Sequence, residues 1–294
     1  MLTRPRIALA VRVRDEWSLV RGLLESVQAI CDEAWILDDA SVTPAPAVLS
    51  DVLPRVVLLR SRHWSGEHGR LGEGAQRDHL LQRIKRGSAC EWILQLDADE
   101  RIDGVRALAD LSEIQGVDGW KLPLVDFYIT PHDERLSDDA NPGLVRDWYG
   151  IETRWTLSVF RKTWGLYVSR GDVREPQGLR AGRVARSDRC VVEHYGKSIS
   201  VDAWERKADF YITRYPAYRD KWLARKGAAV HDGVSDFGTA LVHRGDPRYD
   251  PNTAPTIHEY EVDRGPRVWA KRMIYGLLAP SLRSVTTTVV RAVR

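Results

Sequence analysis

Residues 92–100 read Trp-Ile-Leu-Gln-Leu-Asp-Ala-Asp-Glu, a run of apolar residues that ends in two carboxylates separated by one small residue. A short apolar run with a polar end predicts a buried β-strand. Because side chains alternate along an extended chain, Asp97 and Asp99 point the same way and raise each other's pKa unless a positive charge lies beside them. Mg²⁺ or Mn²⁺, held by carboxylates and phosphate groups, would provide that charge. A solvent-exposed acidic loop is the alternative.

Strand and helix patterns alternate upstream of this stretch. Apolar residues at three- and four-residue spacing predict a helix over residues 17–30, and Leu80, Leu81 and Ile84 mark a second one. Strands separated by helices form a parallel sheet, and ligands bind at the carboxyl ends of its strands. Asp38 and Asp39 follow one such strand, as Asp97 and Asp99 follow another. The strands are predicted over residues 7–13, 34–37, 55–59 and 92–96.

The pattern loosens beyond residue 115. Residues 120–130 and 153–161 have strand character, and the polar segment 131–147 between them predicts a long loop. Residues 190–194 predict a short strand that ends at His194. An aromatic stripe from Val201 onward predicts a helix, interrupted or restarted at Pro216, which packs on the sheet or stacks on a sugar.

Composition excludes several classes of protein. The chain has 294 residues, of which 43% are hydrophobic and 29% charged, so disordered and fibrous architectures do not apply. Its three cysteines form no Cys-x-x-Cys pair, which argues against a disulfide framework and a zinc knuckle. The net charge of +3 gives no support for a nucleic-acid partner.

The C-terminal region differs from the rest in charge. Residues 264–294 contain seven Lys or Arg and no Asp or Glu, interleaved with apolar residues. We therefore predict two parts: an α/β part over residues 1–225 and an extension over 226–294 with a basic amphipathic helix. That helix either lies on an anionic membrane surface or caps the core. No signal peptide or membrane-spanning segment is predicted, so we expect a cytoplasmic protein, peripheral at the inner face of the membrane if the tail binds that surface and free of it if the tail caps the core.

Several motifs occur together and in order. Residues 38–41 (Asp-Asp-Ala-Ser), 75–78 (Ala-Gln-Arg-Asp) and 97–100 (Asp-Ala-Asp-Glu) resemble elements of the family 2 glycosyltransferases of the GT-A fold. Residues 10–16 are similar to that family's first strand and turn, with Asp15 where Asn is usual. Residues 192–198 resemble the His-Tyr-Gly segment of relatives that build bacterial lipopolysaccharide core and other envelope glycans. The resemblance spans roughly residues 5–225, which implies that residues 1–225 form a nucleotide-sugar and acceptor-binding catalytic domain.

The resemblance implies an α/β GT-A fold with a mostly parallel central sheet flanked by helices, followed by the helical extension. It also implies transfer of a hexose from a nucleoside diphosphate sugar to a hydroxyl of a glycan or lipid-linked acceptor, with inversion and with Mn²⁺ or Mg²⁺. Asp39 would accept hydrogen bonds from the nucleobase, and Arg77 would contact the base or the diphosphate. Asp97 would hold the ribose or a metal-bound water, and Asp99 would bind the metal directly. The nucleotide-sugar residues implied are Arg12, Asp39, Arg77 and Asp97, and the metal ligands Asp97, Asp99 and His194; for His194, a core histidine bonded to a backbone carbonyl is the alternative.

A general base must take the proton of the acceptor hydroxyl. Glu175 is the candidate, because Pro176 restrains it to an extended conformation, and Asp172 is second. A surface ion pair between Glu175 and Arg174 or Arg180 is the alternative. Residues 173–176 resemble a Val-His-Glu element in which Arg174 replaces His, and a guanidinium suits a phosphate or carboxylate on the acceptor.

Two other hypotheses remain. The first is a non-catalytic relative that binds a nucleotide or glycan without turnover. The second is a phosphohydrolase with Asp97 as nucleophile, which Arg101 disfavours because Thr or Val is usual at that position of the motif. The joint presence of Asp39, Asp97, Asp99, Glu175 and His194 favours the transferase.

Overall fold

The computed structural model describes residues 5–46, 49, 51–65, 69–133, 141–168, 174–180, 182–214, 219–257 and 288–291. A central sheet of ten strands organises the fold. Strand β1 (Ile7–Val13) lies between β2 (Cys31–Asp38) and β4 (Trp92–Asp97), parallel to both, and β3 (Val56–Arg60) continues the parallel order beyond β2.

The second half of the sheet mixes strand directions. Antiparallel pairing places β8 (Arg154–Arg161) between β4 and β6 (Gly119–Asp126). Strand β12 (Val191–His194) is parallel to β6 and antiparallel to β5 (Glu100–Asp103), which forms the edge. The remaining strands are β7 (Trp148–Gly150), β9 (Tyr167–Val168), β10 (Pro176–Gln177), β11 (Val184–Arg186), β13 (Leu241–His243) and β14 (Thr288–Arg291).

Helices cover both faces of the sheet. In β1, Ile7, Leu9 and Val11 join the core beneath one helix, while Ala8 and Ala10 join the core on the opposite face. This alternation follows from the two-residue period of a strand, and each fully buried Leu or Ile stabilises the fold by roughly 1.5–3 kcal/mol. The helices are α1 (Trp17–Val27), α2 (Gly69–Gly87), α3 (Ala107–Glu113), α4 (Val201–Arg214) and α5 (Arg219–Arg225), with a 3-10 turn at Pro142–Leu144.

The architecture confirms the predicted fold class, an α/β fold with a mostly parallel central sheet flanked by helices, and it is consistent with a GT-A fold. Strand β1 has the predicted bounds, whereas β2 begins three residues earlier than predicted, at Cys31. The described part of the aromatic stripe lies in α4 and α5, which pack on each other: Tyr211 of α4 stacks on Trp222 of α5 with ring centroids 4.8 Å apart. The predicted interruption at Pro216 lies outside the described residues.

The C-terminal region is only partly described. Residues 226–257 consist of turns and β13, which pairs with β7, and Thr153 N donates to Pro255 O at 2.9 Å. Residues 288–291 form a strand antiparallel to β3, where an amphipathic helix was predicted. The rest of that predicted helix lies outside the described residues. Within the described ranges, no helix is both long and apolar enough to cross a bilayer.

Candidate active site

Three parallel strands bring polar side chains to one edge of the sheet. Arg12 of β1 lies opposite Asp97 of β4, and Val13 lies opposite Asp38 of β2. Asp39 follows directly, and its N–H donates to Val13 O at 2.8 Å. The predicted nucleotide-sugar residues Arg12, Asp39 and Asp97 therefore meet at the carboxyl ends of adjacent strands, where α/β sheets bind ligands.

Two guanidinium groups hold the carboxylate of Asp97. Arg77 Nη2, from α2, donates to Oδ1 at 2.8 Å, and Arg174 Nη1 donates to Oδ2 at 3.2 Å. Burial acts to raise the pKa of Asp97, but the charges of Arg77 and Arg174 outweigh it, so that this pKa is lowered. Arg174 also binds Glu100, at 2.6 Å from Nη1 to Oε1 and 2.7 Å from Nη2 to Oε2. The positive charge that the acidic strand end needs thus comes in part from the chain itself.

The imidazole of His194 lies between two carboxylates. Its Nε2 is 3.4 Å from Oδ2 of Asp99, and its Nδ1 is 2.5 Å from Oδ1 of Asp126, at the end of β6. Burial lowers the pKa of His194, but the charge of Asp99 and the hydrogen bond to Asp126 outweigh it and raise that pKa to about 9. The same contacts hold the pKa of Asp99 well below its usual range against the effect of burial. His194 is therefore not a core histidine bonded to a backbone carbonyl.

Gly196 leaves room beside this pair. A Cβ atom at position 196 would overlap Oδ2 of Asp99 and would lie 2.6 Å from Nε2 of His194 and 2.8 Å from Nζ of Lys207. Lys207, on α4, donates to Gly196 O at 2.8 Å. The backbone at Gly196 thus forms a wall of the site that tolerates no side chain.

Asp99 and His194 suit a divalent cation as a pair of ligands. An ionised Asp126 only accepts hydrogen bonds, so Nδ1 of His194 is the donor and Nε2 is the atom left to bind a metal in place of its proton. A carboxylate on the other ring nitrogen is the usual support of a ligating histidine. Asp97 does not join the pair, since both of its oxygens bind arginines. Within the described residues, no three His, Cys, Asp or Glu side chains form a metal-binding group, so phosphate oxygens would complete the coordination.

Asp39 is fully buried and bonded within the chain. Ser65 N donates to its Oδ1 at 2.9 Å, and Arg12 Nη1 donates to its Oδ2 at 2.8 Å. Arg14 holds the same turn by donating to the carbonyl oxygens of Asp39 and Ala40. A cleft of about 320 Å³ lies alongside, lined by Ala40, Ser41, Arg60, Ser61 and Arg62.

Of the two candidate general bases, Glu175 lies within the described residues and Asp172 does not. Glu175 accepts from Lys121 Nζ at 2.9 Å and from Leu157 N at 3.1 Å, which places it against β6 and β8. The alternative was a surface ion pair of Glu175 with Arg174 or Arg180. In the structure Glu175 pairs with Lys121, and Arg174 binds Asp97 and Glu100. Asp172 lies outside the described residues.

Sequence reasoning missed two carboxylates of the site. Asp126 ends a strand, as Asp38 and Asp97 do, but the mixed pattern of residues 120–130 hid that strand's end. Glu16 precedes α1, and burial together with the nearby charges of Asp99 and Asp97 raises its pKa to about 8. Its position just after the first predicted strand could have indicated that Glu16 belongs to the site.

No family model and no curated protein matches this chain. Among solved structures, it is similar to S. aureus TarS, with 12% identity, a TM-score of 0.39 and coverage of 75% of this chain and 42% of that chain. It is also similar to TarS residues 1–349 in complex with UDP-GlcNAc (13% identity, TM-score 0.38, coverage 75% and 71%) and to a mycobacterial protein (13%, 0.35, 70% and 74%). These TM-scores are low, so function is argued from the residues of this chain.

Proposed function

We propose that this protein is an inverting, metal-dependent glycosyltransferase of the family 2 type, which transfers a hexose from a nucleoside diphosphate sugar to an acceptor hydroxyl of a glycan or lipid-linked acceptor. One observation carries the proposal: at a single edge of the sheet, the arginine-bound Asp97 adjoins the Asp99–His194 pair. A nucleotide sugar needs both features, cations for its diphosphate and hydrogen-bonding groups for its nucleoside.

The chain's cations account for binding of the donor. Arg12, Arg77 and Arg174 border the acidic strand end, and Lys207 borders it from α4. Guanidinium groups bind phosphate oxygens in bidentate fashion, so Arg77 and Arg174 are placed to exchange contacts with Asp97 for contacts with the diphosphate.

Departure of the nucleoside diphosphate builds negative charge at this edge. A divalent cation bound to Asp99 and His194 would supply Lewis-acid stabilisation of that charge. Lys207 adds an ammonium group beside Asp99 and His194, held by Gly196 O. Such preorganised charges stabilise a transition state without reorganising during the reaction.

Glu175 remains the proposed general base. Its carboxylate accepts hydrogen bonds from Lys121 and Leu157 N, so it would have to exchange one of them for the acceptor hydroxyl. Asp172 remains the second candidate. Inversion requires that the acceptor oxygen bond to the anomeric carbon on the face opposite the bond to the departing diphosphate, while the base takes the hydroxyl proton.

Ligand-dependent melting tests the proposal. The full chain is heated with each of a panel of nucleoside diphosphates, with and without Mn²⁺, since a ligand at 100 times its Kd adds about 2.7 kcal/mol of stability. We expect one nucleotide to raise the Tm with Mn²⁺, and the matching nucleotide sugar to release nucleoside diphosphate. Absence of any Tm shift would contradict the proposal. A Tm shift with no turnover of any nucleotide sugar, in the presence of candidate acceptors, would favour the non-catalytic alternative.

A further inference from the structure

Asp236 is a buried carboxylate in the segment that the sequence assigned to a separate extension. Its side chain is 5% exposed and lies among three cationic or polar nitrogen groups. His231 Nε2 is 3.0 Å from Oδ1, while Arg225 Nη2 and Lys197 Nζ are 3.1 and 3.2 Å from Oδ2. A buried charge requires such partners, because burial without them costs several kcal/mol.

Lys197 connects Asp236 to the candidate active site. Its ammonium group, on a side chain 5% exposed, is 2.9 Å from Oδ2 of Asp126 and 3.2 Å from the hydroxyl of Tyr128. One lysine is therefore shared between two buried carboxylates, Asp126 and Asp236. Loss of either carboxylate would let the ammonium group move toward the other.

Asp126 in turn fixes the imidazole. It accepts from His194 Nδ1 and Arg154 Nη2 through Oδ1, both at 2.5 Å, and from Lys197 through Oδ2. The orientation of this carboxylate sets the plane of the imidazole and so the direction of Nε2 toward Asp99.

The described part of the extension is built into the same core. Arg244 donates to Tyr195 OH at 2.7 Å and forms an ion pair with Glu193, which fixes the residues on either side of His194. Strand β13 pairs with β7, and Val242 lies in a hydrophobic cluster with Phe127 and Tyr195. Residues 226–257 therefore do not form a unit separable from the sheet.

We propose that Asp236 is a positioning residue of the active site, which acts through Lys197 and Asp126 to hold His194 with Nε2 facing Asp99. The inference rests on the proposed function for its catalytic meaning. The functional unit then extends beyond residue 225, because Asp236, from residues 226–257, supports the candidate metal ligand His194 on β12.

The test compares Asp236→Asn with Asp246→Asn in the full chain. Asp246 lies in the same segment and is also ion-paired, at 2.6 Å to Arg248 Nη2, but within the described residues the hydrogen bonds that its carboxylate accepts all come from Arg248. Mn²⁺ affinity in the presence of a nucleoside diphosphate is measured by electron paramagnetic resonance, together with kcat and KM. We expect Asp236→Asn to weaken Mn²⁺ binding and to lower kcat, with the loss of about 10- to 100-fold that follows removal of a partner bonded directly to a metal ligand as the upper limit. Asp246→Asn should leave both unchanged.

A double mutant tests the route of the effect. In a His194→Gln background, Asp236→Asn should weaken Mn²⁺ binding no further, because the effect passes through His194. A lower Tm with unchanged Mn²⁺ affinity and kcat would overturn the inference, as would full additivity with His194→Gln. If Asp236→Asn does not fold, Asp236→Glu, which keeps the charge one methylene farther out, should show a smaller loss of the same kind, and native Mn²⁺ affinity in that variant would overturn the inference.

One readout is independent of turnover. Imidazole ¹⁵N and ¹H NMR should show a hydrogen-bonded Nδ1 proton on His194 in the native chain and its loss or shift in Asp236→Asn. An unchanged resonance would overturn the positioning role even in a protein without transferase activity. Failure of the native chain to bind Mn²⁺ with any nucleotide would instead contradict the proposed function.

Discussion

Gly196 faces the carboxylate of Asp99 so closely that a Cβ atom at position 196 would overlap Oδ2. The same atom would lie 2.6 Å from Nε2 of His194, so the smallest possible side chain already fills the space between the two candidate metal ligands. Gly196 does not have the positive φ that would itself favour glycine. The reason for glycine at this position is therefore the space that the missing side chain leaves beside Asp99 and His194.

Replacement of Gly196 by Ala should abolish or strongly reduce metal-dependent transfer. The added methyl group must displace Asp99, His194 or Lys207, and kcat/KM for the nucleotide sugar measures the consequence. Gly143→Ala is the matched control, because a Cβ there has no neighbour closer than 3.4 Å. Native kcat/KM in Gly196→Ala, with the methyl group accommodated, would show that the Asp99–His194 pair is not used.

Arg174 should contribute to stability as well as to donor binding. Arg174→Met leaves the fully buried Glu100 without its guanidinium partner, and breaking a buried pair in this way costs about 3–5 kcal/mol. Urea denaturation measures the loss, and nucleotide affinity should fall in parallel. Arg174→Lys should recover only part of both, since an ammonium group cannot bind Asp97 and Glu100 in the same geometry.

Arg189→Met serves as control for this prediction. Arg189 pairs with Asp110 at the surface, and exposed pairs contribute about 0–1 kcal/mol. Equal losses of stability in the two variants would mean that Arg174 holds no buried charge.

Glu175→Gln should retain donor binding but lower kcat by about 10² to 10⁴, the usual contribution of a general base. The amide can still accept from Leu157 N, so the local structure should persist. Steady-state kinetics and the nucleotide Kd are compared with those of Asp172→Asn. Unchanged kcat in Glu175→Gln would transfer the base role to Asp172 or to another group.

The sequence located those site residues that stand at strand ends. Asp39, Asp97 and His194 follow apolar runs whose length and pattern predict strands, and parallel pairing then brings such ends together. The sequence does not predict contacts between distant segments. Arg174 lies 77 residues after Asp97, and only the folded chain shows that its side chain reaches this carboxylate.

The mixed half of the sheet explains the other omissions. Strand β5 begins one residue after Asp99, so Glu100, expected at a polar tip, is buried. Asp126 was hidden because β6 is buried on both faces, so no alternation of apolar and polar residues marks the strand or its end. The hydrophobic pattern of the sequence therefore predicts Asp39 and Asp97, which follow strands of the parallel half of the sheet, better than it predicts Asp126 and Lys197.

Acid should weaken the contribution of Asp236 to stability. Burial acts to raise the pKa of Asp236, but the hydrogen bond from His231 and the charges of Lys197 and Arg225 outweigh it and lower this pKa to about 2 from its ordinary 3.8. A depressed carboxyl pKa stabilises the fold above the unfolded-state value, and this stabilisation is lost as pH falls through the folded-state value.

The difference in unfolding free energy between the native chain and Asp236→Asn should therefore include about 2 kcal/mol near neutral pH that fades from about pH 4 downward. Urea denaturation at a series of pH values measures it. A difference that stayed constant over this range would show that the carboxylate is not held in ionised form by its partners.

Mn²⁺ binding with and without a nucleoside diphosphate tests the central claim most directly. Electron paramagnetic resonance titrations are run on the native chain, on Asp99→Ala and His194→Gln, and on Asp110→Asn as a surface control. We predict that the nucleotide strengthens Mn²⁺ binding to the native chain and to the control. Asp99→Ala should lose this binding and His194→Gln should keep only a weakened form of it, and both variants should keep the fold. Equal nucleotide-dependent Mn²⁺ affinity in Asp99→Ala and in the native chain would contradict the account.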